Sequence, residues 1–151
     1  MRVSNKDKVN VEFDKIDSNF WPYLAGLIDS KGTISIYIHE DKSVDRGFTW
    51  DTNLKITHKS REFLEALQSK FGGSVSKSGK FYQFRIGGNK VRAVLKKTVP
   101  FILLKQKQTV WALQALDLVY GHKSKSFDSV KTDKSLNMLR LRIQTVNNKN
   151  A

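Results

Sequence analysis

The sequence predicts an α+β domain in which two β-hairpins, each followed by a helix, join into one antiparallel sheet with its helices on a single face. Three observations point there. Residues 33–40, TISIYIHE, alternate strictly between apolar and polar. Apolar residues recur at helical spacing between cap signals on either side of that run. The order of elements reads α-β-β-α-β-β-α-α-α. With 151 residues, 39% of them hydrophobic, and nine Phe and three Trp, the chain has material for one domain with a real core. We expect an N-terminal extension over 1–16, the core domain over 17–121, and a linker and C-terminal helix of the same domain over 122–151.

The first helix is expected over 19–31. Asp17 and Ser18 are N-cap types, Pro22 falls in the first turn, and Gly32 is placed for a left-handed cap. Its apolar face carries Tyr23, Leu24, Leu27 and Ile28. In the strand that follows, Ile34, Ile36 and Ile38 point to the core, and Ser35, Tyr37 and His39 point away. A second strand over 48–57 turns Leu54 and Ile56 inward and Asn53 and Lys55 outward. Ser60 caps a helix with Phe63, Leu64, Leu67 and Phe71 on one side, stopped by Gly72 and Gly73. A hairpin about residues 78–80 follows, with Val75, Phe84 and Ile86 inward and Ser76, Gln83 and Arg85 outward. A short helix over 90–97 ends before Pro100. A longer one over 105–120 carries Val110, Trp111, Leu113, Leu116 and Val119 and is capped by Gly121. After a charged connection over 122–134, Leu136, Leu139, Ile143 and Val146 mark a last helix.

Charge narrows the partner. Twenty-seven Lys and Arg against fourteen Asp and Glu give +13 at pH 7, a self-repulsion that a polyanion would neutralise, so nucleic acid is the expected ligand. The outward set Ser35, Tyr37, His39, Asn53, Lys55, Ser76, Gln83 and Arg85 reads as an acid-free, hydrogen-bonding platform. With no cysteine, disulfides and thiolate metal sites are excluded. No apolar run reaches the ~18 residues of a membrane span, and no membrane partner is expected. Residues 1–15 lack the pattern of a leader, so the chain is expected to be mature as written.

Leu24-Ala25-Gly26-Leu27-Ile28-Asp29-Ser30-Lys31-Gly32 resembles the LAGLIDADG motif of homing endonucleases at seven of nine places. Residues 100–108, PFILLKQKQ, are similar to the PFLxLKQKQ segment of single-motif members from organellar introns. The resemblance implies an αββαββα fold whose saddle-shaped sheet, together with that of a second half, lies along the major groove of a long DNA site. It also implies a motif helix that packs, through Leu24, Ala25, Gly26 and Ile28, on a second copy or another protein. By alignment, Ser35, Tyr37, His39, Lys55, Ser76, Gln83 and Arg85 fall on strands that contact bases and phosphates, and Lys105 and Lys107 join the binding set. Encoding inside a mitochondrion or plastid is a further expectation.

At the eighth motif place the family holds an acid that binds a divalent metal; here it is Lys31, whose ammonium has no lone pair to give. Asp29 lies two residues away, roughly 200° around the helix. Lys105 matches a basic residue near the scissile phosphate, or simply begins a helix. His58 falls where a polar residue arranges water, or caps the next helix. Three functions remain open. The first is a family member that has lost cleavage and is kept on structured RNA, ribosomal or intronic, with Tyr37 and Tyr82 available to stack on unpaired bases and with no cofactor. The second is an active endonuclease using Mg2+ as a dimer or heterodimer. The third is a repressor binding double-stranded DNA.

Overall fold

In a computed structural model, which describes residues 12–45, 47–120 and 129–149, the chain turns through Asp17 into the helix that carries the motif. The Asp17 carboxylate accepts the Asn19 N–H at 2.9 Å and the Asp17 carbonyl accepts that of Phe20 at 3.0 Å. Helix α1 (Phe20–Lys31) then begins after Asn19, one or two residues past the expected cap types. Pro22 is tolerated because the first four N–H groups of a helix have no partner within it.

Strand β1 (Gly32–Glu40) follows without a linking residue. Gly32 is extended, at φ −89° and ψ 151°, rather than left-handed as expected. Glycine is needed there for space: a Cβ would lie 2.8 Å from the Ile28 carbonyl oxygen and 2.9 Å from its Cα. Strand β2 (Phe48–His58) pairs antiparallel with β1, from Gly32 opposite Ile56 to Glu40 opposite Phe48. Helix α2 (Arg61–Phe71) starts at Ser60, whose Oγ accepts the Phe63 N–H at 3.2 Å, and stops at Gly72, φ +74°. Strands β3 (Ser74–Ser78) and β4 (Phe81–Gly87) form a hairpin closed by Gly79, φ +61°, and Lys80. Helix α3 (Asn89–Thr98), a 3-10 turn (Val99–Phe101), α4 (Gln106–Tyr120) and α5 (Ser129–Lys149) complete the molecule. The sheet order is β1-β2-β4-β3, so the two hairpins meet through β2 and β4.

The core lies between the sheet and its helices. Ile34, Leu54, Ile56, Phe84 and Ile86 pack beneath Leu24 and Ile28 of α1, Leu64 and Leu67 of α2, and Val94 and Leu95 of α3, all at 2% exposure or less. Each such side chain contributes about 1.5–3 kcal/mol by leaving water. Phe13, ahead of α1, belongs to the same core and meets Phe71 edge-on at 5.3 Å. Helix α5 buries Leu136, Leu139 and Ile143 and flanks the edge strand β1, where Asn147 donates to the Ile34 carbonyl at 3.1 Å. Such cover blunts an exposed strand edge.

Three expected faces are displaced. Ile38 is 52% exposed, although its cross-strand partner Trp50 is buried. On α1 the buried residues are Trp21, Leu24, Ala25 and Ile28, and Tyr23 is exposed. On α4 they are Gln108, Thr109, Ala112, Ala115 and Leu116, with Val110 outside, since small side chains let α4 approach its neighbours closely. The expected cap Gly121 and residues 122–128 of the connection lie outside the described residues.

Candidate nucleic-acid interface

The strand registers assign every outward position to a row across the open face of the sheet. Thr33, Lys55, Arg85 and Ser74 form one row; Thr57, Gln83 and Ser76 form the next. On the other side lie Ser35 with Asn53, then Tyr37 with Asp51, then His39 with Thr49. All eight outward residues of the platform therefore share one face. Lys107 does not: it sits exposed in the first turn of α4.

Two features correct the expected platform. The face is not free of acids, because Asp51 stands on it and accepts the Tyr37 hydroxyl at 3.3 Å. Its parity with Asn53 and Lys55 along β2 carried that signal. Asn53, expected to be outward and open, is only 5% exposed, and its side-chain oxygen has no hydrogen-bond partner. The Tyr37 phenol is pushed up from its ordinary pKa, first by burial and then by Asp51. Tyr120 arrives from the end of α4 and is raised by burial, Asp51 and Tyr37 in that order. No local sequence signal announces Tyr120, whose approach depends on how α4 packs.

Lys55 and Arg85 are direct cross-strand partners. Burial, and then the repulsion of Arg85, push the Lys55 ammonium below the usual lysine value. Like charges placed opposite each other destabilise a sheet. The row that holds them begins at Thr33, two residues beyond Lys31.

At the end of α1 the polar groups are engaged with one another. The Asp29 carboxylate accepts the backbone N–H groups of Leu103, Leu104 and Lys105 at 2.8, 3.1 and 3.0 Å. In return, Lys105 Nζ donates to the carbonyls of Ile28 and Asp29, both at 3.0 Å. Burial lowers the Lys105 pKa and Asp29 opposes that shift. His58 Nδ1 accepts the Ser60 N–H at 2.9 Å and its ring lies 4.8 Å from Phe63, so it braces the turn into α2.

These residues do not fit a divalent cation. Lys31 is an exposed ammonium, the Asp29 oxygens are taken by three N–H donors, and among the described residues no three His, Cys, Asp or Glu gather.

The partner face of α1 also needs correcting. Leu24, Ala25 and Ile28 point into the chain's own core at 1% exposure or less and are closed to a partner. Gly26 is exposed, with nothing within 4 Å of the point where a Cβ would stand, and Tyr23 and Ser30 share its side of the helix. Leu103 and Leu104, 84% and 77% exposed, extend that surface.

Comparison with known proteins places this geometry. The family model of the LAGLIDADG endonucleases matches residues 24–110. No curated relative matches the chain. Among solved structures, the homing endonuclease I-CvuI in complex with the I-CreI target is similar over 84% of this chain and 81% of its own, at 19% identity and a TM-score of 0.69. The archaeal intron-encoded homing endonuclease I-Vdi141I complexed with DNA matches over 85% of both chains, at 22% identity and 0.68. I-SmaMI bound to an uncleaved DNA target with calcium ions matches 87% of this chain but 46% of its own, at 20% and 0.64. The fold and the family model agree with the motif on α1: the chain belongs to the LAGLIDADG endonuclease family.

Proposed function

We propose that this protein binds nucleic acid along the open face of its sheet and does not cut it. The observation that carries the reading is the Lys55–Arg85 pair, two cations held opposite each other at a cost that a phosphate backbone relieves. Non-cleavage is supported by the ammonium of Lys31 at the family's metal-binding place and by the three N–H groups that the Asp29 carboxylate already accepts. The proposed ligand is a structured RNA, ribosomal or intronic, inside a mitochondrion or plastid: a basic face relieved of cutting suits a lasting structural role. The exposed side of α1 about Gly26, continued by Leu103 and Leu104, suits a partner helix from a second copy or another protein.

A second reading, binding to double-stranded DNA as a repressor, is favoured by the DNA present in the solved relatives. Purifying the protein from its source with bound nucleic acid, and sequencing that, separates the two. Recovery of one structured RNA supports the first reading and of one duplex site the second; recovery of neither overturns both. An active endonuclease would need its Mg2+ held by another chain's carboxylate. Strand cleavage of a randomised duplex library by the wild-type protein with Mg2+ would establish that alternative.

A further inference from the structure

Beyond its apolar rows, the helix-side face of the sheet ends in a different kind of row, with His58 opposite Tyr82 and Tyr82 opposite Lys77. Between that row and the first turn of α2 lies a cleft of about 310 Å³ lined by Arg61, Val75, Ser76, Lys77 and Tyr82. Its walls offer two cations, one of them paired with Glu65, and an aromatic ring, and none of the lining residues is an acid. The N-terminus of α2 adds partial positive charge. This donor set suits an anion joined to a flat, weakly polar group.

The spacing fits that ligand. The Arg61 guanidinium carbon stands 6.0 Å from the centre of the Tyr82 ring, and its Nε donates to Glu65 at 2.9 Å. A base between two planes needs about 7 Å, twice the ~3.4 Å repeat of a nucleic-acid strand. The Arg61 side chain, 63% exposed, can shift outward by that difference. Ser76 both lines the cleft and belongs to the open-face row with Gln83 and Thr57, so a strand leaving the open face over β3 meets the cleft at once.

We propose that the cleft holds one unpaired nucleotide of an RNA whose paired body lies on the open face, Tyr82 and Arg61 covering the two faces of the base while Lys77 takes the phosphate. The inference rests on the nucleic-acid reading above. A paired base keeps its faces within its own helix; an unpaired one can turn them to an aromatic side chain.

The test is fluorescence anisotropy on an RNA hairpin with one bulged uridine and on the same hairpin fully paired. The wild type should prefer the bulged probe by roughly tenfold, the scale of one stacked base. Tyr82→Leu and Lys77→Ala should abolish the preference, and Tyr82→Phe should keep it, with thermal melts verifying the fold. Lys77 is exposed, so its substitution reads binding rather than folding. Equal affinity of the wild type for both probes, or a preference that survives Tyr82→Leu and Lys77→Ala, would overturn the cleft. In that case Arg85→Ala still weakening both probes would leave the open-face reading standing. No binding to either probe would remove that reading as well.

Discussion

The junction of α1 with α4 and the open face of the sheet both concentrate polar side chains, and they treat them in opposite ways. At the junction, Asp29 and Lys105 between them make five hydrogen bonds to backbone. Across the sheet, Lys55 and Arg85 stand directly opposite each other and repel. A polar group satisfied within its own chain holds the fold. One kept dissatisfied at a cost to stability is available to something outside.

The largest effect expected from this contrast is at the junction. Asp29→Ala leaves three N–H groups without an acceptor and should cost about 2–4 kcal/mol in urea denaturation. Asp29→Asn, which still accepts, should cost less; equal losses would mean that the carboxylate's charge, not its geometry, holds α4. On the sheet the two signs should separate. Arg85→Ala should weaken nucleic-acid binding by ~1–3 kcal/mol where it reads a base, or lower the salt slope by about 1 where it meets a phosphate. The same change should raise stability by a few tenths of a kcal/mol as the like-charge pair disappears. Loss of stability and affinity together would break the comparison.

Lys31→Asp sharpens it from a third position. Reversing the charge at the negative end of the α1 dipole should cost about 0.3–1 kcal/mol in thermal denaturation. With Mg2+ present, cleavage gained by this variant would show that the remaining groups of the site are still competent. The smallest effect is alkaline. Tyr37 and Tyr120 hold their protons above the usual value of about 10, while in the unfolded chain they lose them there, so stability should fall as pH rises past 10. Absorbance titration should show Tyr37 and Tyr120 ionising late, and Tyr120→Phe should remove one late step.

Alternation and caps make much of this architecture legible, because both are local. Ser60, Gly72 and Gly79 act where their chemistry says they should, and the parity of 53, 55, 83 and 85 sends each to the open face. What the sequence conceals depends on contacts between distant elements. Ala25 reads as a small residue for a partner helix and is instead buried by its own fold. Lys105 reads as a residue for a phosphate and is turned 76 positions back to the Asp29 carbonyl. The buried stripe of α4 escapes periodicity because alanine and threonine, weak signals of burial, do the packing there. At Lys31 the sequence alone is informative, since no packing can give an ammonium a lone pair.

The direct passage of α1 into β1 at Gly32 makes the chain tolerant of new chemistry there and intolerant of new length. Because strand side chains alternate, one residue inserted after Gly32 would swing Ile34 and Ile36 into water and drive Ser35 and Tyr37 into the interior. The connection between Glu40 and Phe48 carries no such alternation and can lengthen at little entropic cost. At the hinge between motif and platform, substitution is therefore the open route to change, and insertion or deletion is closed.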